Sequence, residues 1–518
     1  MKEAVLGIDV GTGSARAGVF DMQGQLLGVG KQDIRMHEGP DGIAEHESAD
    51  IWTAVGQATR AALSKAGHAR VLGIGVDAAC SLVIEGQQLS EGGCPARDVI
   101  VWMDHRATAE AEEINAGNHA VLAYVGGRIS PEMQTPKLLW LARHRPEAFA
   151  NAPHFMDLAD WLTYRLTGLQ ARSACTLTCK WTYLAHENRW DPDYFHGVGL
   201  GALADEAFCR IGTDIRAPGA PIGGLAPDAA GDLGLPEDTP VATGLIDAHA
   251  GGVGTLGAPD GPGTAATRMA YVFGTSACTM TSGARPIMVP GVWGPYFNAM
   301  LPDLWLNEGG QSAAGAAMDQ IVRLHPAYPE LSARVPNVLD HLTERALTLG
   351  DPSDLVHRAA RLTVVPDFNG NRAPLADPQA RAIIAGLGMA RDEPSLIDLF
   401  VAGLIGIGCG LRHIIEAQAE CGLETEAIVI SGGAGANPVA RQLLADASGL
   451  PVLVPATDEP VLLGAAMLGA VAGKAVPDLS TAMGQMSALR GQHRPAAGQH
   501  REAHDQIYRR YRALQTAA

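Results

Sequence analysis

A chain of 518 residues is too long for one hydrophobic core, so two large domains are expected. With 47% hydrophobic and 18% charged residues the composition is globular and excludes disorder. A formal charge of −18 argues against a nucleic-acid partner, whose phosphates attract basic surfaces, but leaves room for a locally basic pocket around a phosphorylated ligand.

In chain order, "AVLGIDV" (4–10), "RAGVFD" (16–21) and "LLGVGKQDI" (26–34) read as three successive strands. A helix is predicted from about Ser48, with that serine as its cap, followed by the strand "VLGIGVDA" (71–78). Hairpin strands followed by a helix–strand unit describe a mixed α/β sheet. The opening residues pass directly into a strand and leave no room for a signal-peptide core. The eight cysteines show no framework spacing, so reduced thiols and a cytoplasmic location are expected. Cys175 and Cys179 lie four apart, but a metal would need two further ligands and the nearby sequence offers no obvious ones.

Residues 131–199 read as helical, and 217–235 as a connector rich in proline and glycine. "RMAYVFGTSACTMTSG" (268–283) then repeats the strand–turn–strand grammar of the opening. "LFVAGLIGIGCGL" (399–411) is too short to cross a bilayer and reads as a buried helix, so no membrane partner is expected. "EAIVISGGAGANPVARQLLADASGLPVLVP" (426–455) reads as strand, glycine loop, helix, strand. A hairpin of the same kind in each half points to internal duplication, with domains at 1–250 and 251–518.

The glycine-rich "GIDVGTGSAR" (7–16) is not a dinucleotide loop. Gly11 and Gly13 fit that fingerprint, but its third glycine position holds Arg16 and a strand follows in place of a helix. "SGGAGANP" fails similarly at Pro438, and no Walker A lysine exists, since Lys31 and Lys474 precede Gln32 and Ala475. A tight hairpin turn can still cradle phosphate through consecutive N–H groups. Gly11, Thr12, Gly13 and Ser14 would supply that nest and Arg16 a positive charge. Asp9 would be repelled by a triphosphate unless Mg²⁺ lay between them, held through water. The bland alternative makes Asp9 a strand-end residue satisfying turn amides.

In combination, the segments "GIDVGTGSARAGVFD", "VFGTSACTM", "GLIDAHAGGVG", "SGGAGANPVARQLLADASGLPV" and "EPVLLGAAMLGA" resemble, in order, the FGGY family of carbohydrate kinases over nearly the whole chain. "VDAACSLV", "VWMDHRA", "TCKWTY" and "NEGGQSAAG" look like its ribulokinase branch, with Ala79 standing where threonine is common. The resemblance implies an α/β, two-domain actin-like ATPase fold (ribonuclease H-like) with mixed sheets and a catalytic cleft between the domains. It implies ATP and Mg²⁺ as cofactors, a small sugar as the other substrate, and a homodimer as one oligomer known in the family.

By the same resemblance Asp247 is the general base. Gly274, Thr275 and Ser276 form the second phosphate jaw. Gly432, Gly433 and Ala434 face the adenosine, with Asn437 at the purine or ribose edge. Asp77, Trp102, Asp104, Lys180 and Glu308 grip the sugar. Plainer roles compete: Trp102 as core, Asp104 paired with Arg106, Lys180 as a solvated helix charge, and "DFNGNRAPLADP" (367–378) as a structural loop. The expected reaction converts ribulose to ribulose 5-phosphate. Xylulose, ribitol or glycerol as acceptor, or an actin-like ATPase switch, are the alternatives.

Overall fold

The computed structural model describes residues 2–89 and 97–517. The first strand, β1 (Lys2–Val10), is buried from Ala4 onward because it lies centrally in a sheet covered on both faces. It pairs antiparallel with β2 (Ser14–Asp21), which pairs antiparallel with β3 (Leu26–Asp33). Helix α1 (Ser48–Ala66) packs on β3 and β2. Its cap differs from expectation. Glu47 is the N-cap residue, and Ser48 lies within the helix, its hydroxyl donating to Asp98 at 2.5 Å.

β4 (Ala69–Ala78) runs parallel to β1 and sets Asp77 beside Asp9, which across the hairpin faces Arg16. Short strands β5 (Pro221–Gly224), β6 (Pro240–Ala242) and β7 (Leu245–Ile246) complete this sheet, with Leu245 level with Asp77. Asp9, Asp77 and Asp247 therefore converge because three neighbouring strands end at one level. The expected helices of the middle region include Gln134–His144, Leu158–Thr167 and Ala174–Lys180. α2 (Asp247–Leu256) follows β7 directly.

The second sheet is built on the same plan. β8 (Arg268–Phe273) and β9 (Ala277–Gly283) form its hairpin, and β10 (Trp293–Phe297) and β11 (Trp305–Gln311) extend it antiparallel. β12 (Ala427–Ser431) lies parallel to β8, as β4 does to β1, and β13 (Val452–Pro455) and β14 (Leu489–His493) close it. Helix α3 (Glu393–Glu420) is long and apolar enough to cross a membrane by length and composition, but 83% of its most apolar window is buried inside the protein. It packs against α4 (Pro438–Ser448).

α5 (Pro460–Ala472) comes late in sequence yet lies on the first sheet, against β1, β4 and α2. Glycines allow this approach. A Cβ at Gly7 or Gly75 would overlap the carbonyl oxygens of Leu462 and Ala465. At the crossing of α2 with α5, a Cβ at Gly464 would overlap the Ala250 carbonyl.

Candidate active site

Between the sheets lies a cleft of about 930 Å³ lined by Gly11–Ser14, Asp9, Arg16, Asp247, Gly432, Gly433 and residues 457–461. The first phosphate hairpin and the carboxylate assigned as base thus share one cavity. Gly432, at φ +88°, turns so tightly against β8 that a Cβ would crowd the Phe273 backbone, and Gly433 leaves open space beside the cleft.

Gly274, Thr275 and Ser276 form the turn between β8 and β9, with Thr275 exposed. Their carbonyls hold the start of helix Gly315–Arg323, where Ala314 donates to Thr275 O and Gly315 to Gly274 O, both at 2.9 Å. Ala434 lies between Gly433 and Gly435, which both line the cleft. Two other expected contacts are placed differently. Asn437 is not at a ligand edge but caps α4. Its Oδ1 accepts from Val439 and Ala440, and its Nδ2 donates to Thr343 Oγ1 at 2.6 Å. Arg16 is not free to reach a phosphate. It forms an ion pair with Asp9 and donates through Nη1 to Glu459 Oε2 at 2.8 Å.

Asp77 sits with the other strand-end carboxylates rather than with the sugar-facing groups. It is fully buried, and neither of its oxygens has a hydrogen-bond partner of acceptable geometry. Burial, then Asp9 and Asp247, push its carboxyl well above the usual range. Asp247 is pushed up to about 6 by burial and Asp9, against the Ala248 N–H that its Oδ1 accepts at 2.7 Å. It is therefore a stronger base than an ordinary carboxylate of about 4.

On its other side Asp247 is electrostatically coupled to His249 and Lys180. Lys180, at the end of helix Ala174–Lys180, is buried, and its Nζ lies 5.4 Å from the Trp293 ring centroid. Burial would lower its ammonium; Cys80, Glu308 and Tyr296 hold it well above its usual value. Glu308, on β11 opposite Trp293 on β10, would be raised by burial but is held at about 2 by His249, Lys180 and Arg372. Arg372, from the 367–378 loop expected to be only structural, lies 5.9 Å from the Trp293 ring centroid. Trp102 is half-buried and donates its indole N–H to Thr12 Oγ1 at 2.9 Å, tying this side to the phosphate hairpin. Ala79 is buried, its N–H bonded to Val10 O at 2.9 Å.

Asp104 takes the plainer of its two expected roles. It is fully buried, both oxygens accept from Arg106, and Oδ2 also accepts the Ala44 N–H at 2.7 Å, so it has no face left for a sugar. His249, Trp293, Arg372 and Glu459 were missed in the sequence. His249 lies two residues from Asp247, and Arg372 and Glu459 lie in segments already singled out, while nothing local marks Trp293. Cys179, His249 and Glu308 meet with donor atoms within 4.8 Å, so the structure supplies two neighbours that the sequence around Cys179 does not.

A glycine-walled cleft between duplicated lobes, with a basic carboxylate facing it and ionised groups behind, defines an ATP-dependent small-molecule kinase of actin-like fold. The N-terminal domain of the FGGY family of carbohydrate kinases matches residues 4–254, and its C-terminal domain residues 269–473. An FGGY carbohydrate kinase domain-containing protein of Danio rerio is 42% identical over 501 residues, 93% of this chain and 92% of its own. D-ribulokinase of Saccharomyces cerevisiae is 36% identical over 512 residues, covering 90% and 72% of the two chains. The crystal structure of xylulose kinase from Rhodospirillum rubrum superposes with TM-score 0.82 over 99% of this chain and 98% of its own; at 21% identity it speaks to the fold alone. The chain belongs to the FGGY family of carbohydrate kinases, in its ribulokinase-like branch, and is a sugar kinase that uses ATP.

Proposed function

We propose that the protein transfers the γ-phosphoryl group of Mg-ATP to the terminal hydroxyl of a ketopentose, ribulose foremost, giving ribulose 5-phosphate. The observation that carries this reading is the position of Asp247. It faces the cavity that also holds residues 11–14, with Lys180 and His249 coupled to it and Glu308 beyond them. The likeness to yeast D-ribulokinase favours ribulose among ketopentoses.

In this mechanism Glu308 accepts from the sugar hydroxyls, Lys180 holds the carbonyl end, and the Trp102 ring packs against the carbon face. Phosphoryl transfer through a loose transition state depends mainly on placement and charge neutralisation. Asp247 takes the hydroxyl proton late, as the oxygen bonds to phosphorus. The unpartnered oxygens of Asp77, beside Asp9, fit a hard divalent cation. When bound, Mg²⁺ would screen the phosphate charges; the ion pair with Arg16 holds Asp9 in place beside it.

The test is ADP release measured over ribulose, xylulose, ribitol and glycerol, for the wild type and Asp247→Asn. Ribulose should give the highest kcat/KM, and the variant should lose about 10²–10⁴-fold in rate, as for general-base removal. Preference for glycerol over every ketopentose would overturn the substrate, and full activity of the variant would overturn the base. ATP turnover indifferent to any sugar would instead mark a switch ATPase.

A further inference from the structure

Glu308 sits in the sugar site of the reading above, and a carboxylate at that depth needs a group to hold its direction and charge. The first turn of α2 supplies one. His249 is fully buried, its Nδ1 3.1 Å from Cys175 Sγ and its Nε2 3.2 Å from Glu308 Oε1, an ion-pair contact whose alignment falls short of a hydrogen bond. Cys175 is itself fixed, accepting the Ile246 N–H at 3.4 Å. An ionised carboxylate only accepts hydrogen bonds, so the nitrogen facing Glu308 carries a proton whether the ring is neutral or charged. The ring's other nitrogen meets sulfur, which can donate to it or accept from it. Glu308 Oε2 is left buried and without a protein partner.

We propose that His249 is the positioning residue of the sugar site: backed by Cys175, it fixes one oxygen of Glu308 and leaves the other to accept a hydroxyl of the sugar. The chain Cys175–His249–Glu308 spans three distant pieces of sequence, and its middle member lies two residues after Asp247. The same turn of helix therefore sets the base and the grip on the acceptor. Burial would lower the imidazolium, and Cys175 with Glu308 lifts it to about 10, in keeping with a proton held toward the carboxylate. A divalent metal on Cys179, His249 and Glu308 is the rival use of these atoms. The Lys180 ammonium, coupled to both Glu308 and Cys179, already puts a positive charge there and opposes a second.

The inference rests on the sugar-kinase reading of Glu308. Its test is steady-state kinetics of His249→Leu, His249→Gln and Cys175→Ala, on whichever sugar the wild type uses best, with zinc content measured on each purified protein. His249→Leu should raise KM for the sugar about 10- to 100-fold, the scale of one hydrogen bond to a charged group, while KM for ATP stays within about twofold and kcat changes far less. His249→Gln, which keeps an N–H in reach of Glu308, should recover most of the loss. Cys175→Ala should move KM for the sugar the same way by a smaller factor, and carries the test if the leucine variant does not fold. An unchanged sugar KM in folded variants, a loss as large in glutamine as in leucine, or one zinc per wild-type chain that His249→Leu abolishes would each overturn the proposal. A wild type that phosphorylates no sugar would fell the functional reading too, whereas an active wild type with indifferent variants fells this inference alone.

Discussion

The bond between Trp102 and Thr12 would make the wall of the proposed sugar pocket part of the proposed phosphate hairpin. Trp102→Phe keeps a smaller aromatic face for the sugar and removes the N–H that donates to Thr12 Oγ1 at 2.9 Å. Both residues are half-buried, so the bond belongs to the ordinary neutral class, worth about 0.5–1.5 kcal/mol net. Spent on ordering the hairpin, that corresponds to a rise of about 2- to 12-fold in KM for ATP. KM for the sugar should stay within about twofold, because the ring's apolar surface remains. Thr12→Val should give the same rise, and the double variant no more than either single one, since both delete one bond. Initial rates over a grid of ATP and sugar concentrations separate the two constants. A shift in sugar KM alone, or additive losses in the double variant, would refute the coupling.

Two further outcomes follow from buried charges. With Asp247 raised to about 6 by burial and by Asp9, the base is ionised at neutral pH and protonated below that value. In a pH–rate profile kcat/KM should therefore fall about tenfold per unit on the acid side of pH 6, and the residual rate of Asp247→Asn should lack that limb. Arg106 is buried in a network with Asp104 and Glu45, its Nη2 2.6 and 2.8 Å from their oxygens. Arg106→Met leaves buried Asp104 without its cation and Glu45 with Arg97 alone at 3.6 Å, and should cost about 3–5 kcal/mol in urea unfolding. Asp104→Asn, by contrast, should leave KM for the sugar unchanged in the folded protein, because that carboxylate has no side turned to a ligand.

The elements of the two sheets were legible because hairpins and central strands write themselves locally: "VLGIDV" and "YVFGTSACTM" carry apolar runs that stop at glycine turns. What a turn faces is not local. Gly274–Ser276 has the sequence of a phosphate jaw, but that its carbonyls hold the start of helix Gly315–Arg323 depends on a contact far along the chain. Arg16 reads as a cation for phosphate until Glu459, 443 positions away, takes one arm of its guanidinium. Asn437 precedes a proline at a helix start, a pattern typical of a cap, and the structure gives it that role. Asp77 was expected at the site by resemblance alone, and only strand register shows that its neighbours are Asp9 and Asp247. The meeting of Trp293 with Arg372 depends on β10 and a distant loop coming together, and no spacing announces that.

The late helix laid across the first sheet also bears on how the chain is born. Strands β1 and β4 leave the ribosome about 380 residues before α5, the span from Ala78 to Pro460. At roughly 5–20 residues per second, the face waits about 20–80 s for its cover. Gly7 and Gly75 make much of that face bare main chain rather than large greasy side chains. The composition that permits a close fit in the finished protein thus also leaves a nascent surface with little for a neighbouring polypeptide to stick to.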